Sequence, residues 1–183
     1  IACNKKLSGI AGSAINAITS SNLIINNSII WGNEGTMPGA NPITVTASTV
    51  TANYSLIEGG FAGTGNINSN PLFLNPFTAS LAPTISGNYH IKTCSPAINA
   101  GSNALIPSGI TTDLDSLSRI KFTTVDMGAY EKHLPVPDGN GIVYVDSSNT
   151  INEGNGNSWA SAATELADAL KAAITDNTIE EIW

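Results

Sequence analysis

The chain has little charge and almost no positive charge. Charged residues make up 11% of its 183 residues, against roughly 25% in an ordinary soluble domain. Arginine occurs once, at Arg119, among 7 basic residues in all, and the net charge is −7. A phosphate-binding surface needs clustered lysine and arginine, so nucleic acid is excluded as a partner. Aromatics are also sparse at 6%. No apolar run approaches the 18 residues that a membrane-spanning helix requires. Cysteine occurs only at Cys3 and Cys94, 91 positions apart and in no CxxC or Cys/His cluster. These two either pair in an oxidising compartment or serve as small buried apolar residues, since spacing does not reveal the geometry a bridge needs. The chain opens without a start methionine or a signal peptide and closes on what looks like a strand beginning, Glu180-Glu181-Ile182-Trp183. It is therefore expected to be a fragment of a longer polypeptide.

What replaces the missing charge is Asn, Ser and Thr, together about a third of the chain, beside 17 glycines. The apolar content is carried by isoleucine, valine and alanine in short runs, which suits short strands between polar turns. Ser20 to Asn33 carries two apolar triplets broken by Asn26-Asn27-Ser28, and Ile43-Thr44-Val45-Thr46-Ala47 alternates with period two. Ser28-Ile-Ile-Trp-Gly-Asn33 aligns on Ser55-Leu-Ile-Glu-Gly-Gly60 at a spacing of 27. Short strands repeating at such a period predict a solenoid of stacked coils, with β-branched residues inside and Asn, Ser, Thr and Gly at the turns. The fold expected is all-β: a right-handed parallel β-helix fragment with one short capping α-helix near the C-terminus.

Three regions are expected. Residues 1–133 form the final coils and closing region of a β-helix unit. Residues 134–141, with two prolines and two glycines, form a linker. Residues 142–183 begin a following unit, with a strand at Ile142–Asp146, an Asn/Gly/Ser-rich loop over 147–157 and a helix from Ser161 to Ile174. Ala162, Leu166, Leu170, Ala173 and Ile174 share one face of that helix, and Ser161 is its expected N-cap.

The chain resembles a family on several segments. They are Ser28-Ile-Ile-Trp-Gly-Asn33, Tyr54-Ser-Leu-Ile-Glu-Gly-Gly60, Gly65-Asn-Ile-Asn-Ser-Asn-Pro-Leu-Phe73, Tyr89-His-Ile91 and Ser95-Pro-Ala-Ile-Asn-Ala-Gly101, then Thr112-Asp-Leu-Asp115, Arg119-Ile120 and Val125-Asp-Met-Gly-Ala-Tyr-Glu131. In this order, over about residues 20–131, they resemble bacterial right-handed parallel β-helix proteins, pectin-lyase-like in fold, that carry a choice-of-anchor region near the C-terminus. Such proteins are common on the surface of Bacteroidetes-type bacteria. The family usually has Asp where this chain has Asn68 and Asn99, and Gly where it has Cys94, so no carboxylate role carries over there. Ile142–Asp146, Asn155–Ala160 and the helix resemble the opening of another such β-helix. The resemblance implies a secreted or cell-surface setting and no single activity, because the fold hosts lyases, hydrolases and adhesins alike.

Candidate site residues are few. Asp113, Asp115 and Asp126 are the best set of hard oxygen ligands, for calcium, or else form a turn braced by its own backbone N–H groups. Trp31 either stacks on a sugar ring or packs against the next coil. Trp159 is expected against the cap helix and Trp183 in the core of the next coil. His90 and His133 lack the partners a metal site needs, and His90 is read as a strand residue. Arg119-Ile120-Lys121 is similar to the Arg-Ile-Lys of β-helix polygalacturonases, but the Asp-Asp step and Gly-His-Gly those enzymes use do not occur here. Arg119 is given a structural role and no residue a catalytic one. The function expected is a non-catalytic structural or adhesive module, contacting glycans or other surface components weakly and repeatedly, and neighbouring units or chains through its coil ends. The alternatives are the closing part of a polysaccharide lyase or hydrolase whose catalytic coils lie outside this chain, and a spacer without a ligand.

Overall fold

The computed structural model of the chain describes residues 1–6, 14–35, 41–82, 84, 86–149 and 154–183, which form mostly short strands with one α-helix. Contacts divide it into two units, Ile1–Glu131 and Lys132–Trp183. Among the described residues the sheets are two-stranded.

In the first unit β1 (Ile15–Ile18), β2 (Asn22–Asn26) and β3 (Ile29–Ile30) each pair in parallel with β4 (Ile43–Thr46), β5 (Thr49–Asn53) and β6 (Leu56–Ile57) respectively. Ile15 lies beside Ile43, Asn22 beside Thr49 and Ile29 beside Leu56, so partners stand 27 or 28 positions apart. Residues 1–6 lie beside β3 and its continuation through parallel bridges of Ala2 to Trp31 and Lys5 to Glu34.

The corners recur at the same spacing. Ser20 and Ala47 take positive φ between the first two strands of each set, and Asn27 and Tyr54 between the second and third. Asn enters that region at low cost, whereas Ala and Tyr are held there by their surroundings. Serines join the corners: the Ser21 N–H donates to Ser48 Oγ and the Ser28 N–H to Ser55 Oγ, each at 3.1 Å. The hydroxyls of Ser28, Ser48 and Ser55 in turn donate to the carbonyl two residues back in their own turns. This is why a chain so rich in small hydroxyl residues forms these corners without charge.

Successive residues of a strand face opposite sides. Ile30 and Ile57 therefore join a core with Ile25, Ile43 and Ala52, while Ile29 and Leu56 join a second one with Ile91, Ala97 and Met127. Burial on both faces explains why β3 and β6 read as continuous apolar pairs rather than an alternation. By contrast only Ile43 of β4 is buried, and Val45 is exposed, so the alternation read at 43–47 buries less than the pattern suggests. The second core brings in the later segments, including the antiparallel pair β7 (Phe73–Asn75) and β8 (Asn88–Ile91).

In the second unit β9 (Ile142–Val143) pairs in parallel with β10 (Glu181–Ile182), and Val145 bridges Ala163. Residues 134–141, expected as a linker, are hydrogen-bonded into this unit: the Val136 N–H donates to Asn155 O at 2.8 Å and the Asp138 N–H to Ile142 O at 2.9 Å. The helix α1 covers Leu166–Thr175, with Glu165 at its N-cap and no side-chain capping bond. Ser161 is not its cap; it ends a separate 3-10 turn, Trp159–Ser161, whose capping residue is Ser158.

The buried face of α1 also differs from expectation. Leu166, Leu170 and Ile174 are exposed, and Asp168, Ala169 and Ala172 are buried. The inward side carries an ion pair, in which Lys132 Nζ reaches Asp168 Oδ2 at 2.6 Å with both side chains almost fully buried. The alanines beside it permit close packing. Among the described residues no helix is long and apolar enough to cross a membrane.

Candidate functional site

The sequence-selected aspartates converge, with Arg119, on the end of the first unit. Turn geometry explains Asp113: its Oδ1 accepts from the N–H groups of Asp115 and Leu117 at 3.0 and 2.9 Å, and its Oδ2 from the Glu131 N–H at 3.1 Å. The hairpin it closes carries Arg119 inward. There the guanidinium pairs with Glu131 through Nη1, and Nη2 donates to Gly128 O at 2.9 Å. Both Glu131 carboxylate oxygens accept from the Asp126 N–H, and Asp126 Oδ1 accepts from the Asn99 N–H at 2.7 Å.

Backbone bonds extend this knot. The Met127 N–H donates to Ala97 O, Gly101 to Val125 O and Gly128 to Asn27 O, each at 2.9 Å. Gly101 is required, because a Cβ there would stand 2.7 Å from the Val125 carbonyl oxygen and Cγ1. Asn27 completes the stitch: its Oδ1 accepts from the Ser102 N–H at 2.8 Å and its Nδ2 donates to Ser102 O at 3.0 Å. Sequence reasoning missed Asn27 and Glu131. The positive φ expected of a turn asparagine marked Asn27 as a corner, but nothing local signals a bond 75 positions away.

Electrostatics sets Glu131 apart. Burial, reinforced by the Asp126 and Asp113 carboxylates and opposed by Arg119, pushes it up to about 7. The Tyr130 hydroxyl is also raised, by burial and then by Asp115 and Asp113. His90 lies against the Tyr130 ring at 4.0 Å between centroids. Its Nε2 meets Asp115 Oδ2 and its Nδ1 meets Asn88 Oδ1, both at 2.6 Å.

This arrangement can brace the closing segment. Both His90 nitrogens are engaged, the ring is buried, and Arg119 is tied to Glu131 and to carbonyl oxygens. The three aspartates serve separate partners rather than one shared point. Among the described residues no group of three His, Cys, Asp or Glu is placed to hold a metal ion. An apolar trough of about 970 Å³ runs along this unit, lined in part by Ile24, Leu105, Ile110 and Tyr130. Arg119 is the charged side chain at its wall.

The tryptophans fall differently from expectation. Trp31 is half-buried and packs on the core of Ile29, Leu56 and Met127, which favours its packing role over sugar stacking. Trp159 is 57% exposed and lies edge-on to Tyr144 with centroids 5.1 Å apart. Trp183 is 53% exposed rather than a core residue, because Val143 faces inward and alternation turns Tyr144 and Trp183 outward. Cys3 and Cys94 are free thiols, and burial pushes the Cys3 thiol up. No protein-family model, curated protein or solved structure matches the chain.

Proposed function

We propose that the chain belongs to a large secreted or cell-surface bacterial protein and forms a non-catalytic structural and adhesive module. In this reading residues 1–133 are the last coils and closing region of a right-handed parallel β-helix, and residues 142–183 begin a following one. The observation that carries it is the parallel pairing of three successive strand pairs at 27 or 28 positions, with corner serines bonded across the same interval. Offsets of 27 or 28 at all three pairs are what stacked coils give. The motif order from Ser28 to Glu131 supports the same family of surface proteins. The engagement of His90, Arg119 and the aspartates by structural partners favours a binding or spacing role over chemistry.

The test uses the whole polypeptide. Electron microscopy of the native protein is expected to show an elongated rod, and incubation with polygalacturonate, β-glucan or glucomannan is expected to release no soluble oligosaccharide. Release of oligosaccharides would overturn the reading in favour of a polysaccharide lyase or hydrolase with its catalytic coils elsewhere. A compact particle would overturn the solenoid.

A further inference from the structure

The second unit exposes a cluster of aromatic rings. The β9–β10 register places Trp183 beside Tyr144 on the outer sheet face, with ring centroids 5.8 Å apart. Trp159, carried by the turn at 159–161, also flanks Tyr144, with centroids 5.1 Å apart. The indole planes stand at 63° and 78° to the phenol ring. Trp159 and Trp183, two of the chain's three tryptophans, are both more than half exposed.

Trp183 and Tyr144 are also held in place. Trp183 is pinned at its backbone, its N–H donating to Val143 O at 2.9 Å and its carbonyl accepting from the Val145 N–H at 2.7 Å. Its Nε1 donates to Glu181 Oε2 at 2.5 Å, and the Tyr144 hydroxyl donates to Asp138 Oδ2 at 3.2 Å. Asp138 is fixed in turn, its Oδ1 accepting from the N–H groups of Asn140 and Ile142, which hold its carboxyl below the usual carboxylate range. In Trp183 and Tyr144 the polar tips are satisfied, which suits them to anchor a binding face, because little conformational freedom remains to be lost on contact.

Beside the cluster, and sharing Asp138 with it, lies a polar cavity of about 550 Å³ lined by Asn140, Asn177, Thr178 and Glu180 among others. No lysine or arginine lines it. The pairing of the two surfaces matches one chemistry. A pyranose ring offers an apolar C–H face to an indole and a rim of hydroxyls to carboxylates and amides. The carboxylates of Asp138, Glu180 and Glu181 repel a uronate or sulfated sugar, which selects a neutral one.

We propose that Trp159, Tyr144 and Trp183 form a stacking platform for a neutral pyranose glycan, with the Asp138–Glu180 cavity taking its hydroxyls. The proposal rests on the glycan-contact part of the function proposed above and moves that contact from Trp31 to this face. The experiment is affinity electrophoresis of the full chain in gels containing mixed-linkage β-glucan, glucomannan or polygalacturonate. Retardation is expected with a neutral polysaccharide and not with polygalacturonate. Trp159→Ala and Trp183→Ala are each expected to weaken it about tenfold or more, as truncation of a central aromatic contact does. Trp159→Tyr, which keeps a stacking ring and reports on folding, is expected to retain most of it, as is Trp31→Phe. Retardation undiminished in both alanine variants would overturn the platform while leaving glycan contact standing. Retardation by polygalacturonate alone would overturn the neutral class, and none in any gel would overturn the glycan reading and the platform together.

Discussion

Glu131 makes the first unit sensitive to pH in an unusual direction. Its carboxyl is raised from an ordinary value of 4.5 to about 7 by burial and by Asp126. The folded state therefore holds a proton that the unfolded chain has already released over this interval. The contribution is fully present below about pH 4.5 and is lost as pH rises through about 7. Two to three pH units at roughly 1.4 kcal/mol each give a loss of about 3 kcal/mol across the window. Glu131→Gln keeps the shape and cannot titrate, so it serves as the reference. Urea unfolding followed by far-ultraviolet circular dichroism, at half-unit steps from pH 4 to 8, measures both proteins. The wild type is expected to lose about 3 kcal/mol relative to the variant as pH rises from 4.5 to 7. A difference that stays flat would refute the raised carboxyl. One that grows in favour of the wild type would show that Glu131 acts as the ionised partner of Arg119 throughout.

Two further outcomes test the packing. Leu56→Ala removes a fully buried side chain from the core shared with Ile91 and Met127, and is expected to destabilise by about 2–5 kcal/mol in denaturant titration, with the larger values if the cavity stays open. Lys132→Met leaves the buried Asp168 carboxylate without its counter-charge and is expected to cost about 3–5 kcal/mol, read from the tryptophan emission of the second unit; adding Asp168→Leu should recover most of that loss.

The strands of the first unit were legible because their cause is local. Ile29-Ile30 and Leu56-Ile57 stand 27 positions apart in the sequence, and β3 and β6 pair at that distance. Asn27 and Ser28 look like turn residues and act as such. The charged knot was legible only in part. Asp113 and Asp115 announce a turn, but the bonds joining Glu131 to Asp126 and Asn27 to Ser102 depend on where distant segments come to rest. Helix α1 shows how a tertiary contact overrides a pattern. Leu166, Leu170 and Ile174 form the more apolar stripe, yet the opposite side, with the Lys132–Asp168 pair, is the buried one. Periodicity reports which face is greasier, not which face finds an ion partner. Trp183 was misplaced for a related reason: its direction follows from the register with Val143, which no single strand encodes.

The near-constant offset of the three parallel pairs, 27 or 28 positions, has a kinetic consequence. Joining residues 27 positions apart costs about 3 kcal/mol of chain entropy when done alone. Once β2 and β5 meet, however, the adjacent pairs are linked to them only by corners of a few residues. The entropy is lost chiefly at the first closure, and each later pairing adds bonds at little further loss. Such a ladder forms slowly and then zips, so its partly paired states are sparsely populated. The same coupling that holds three weak two-stranded sheets together makes them fail together.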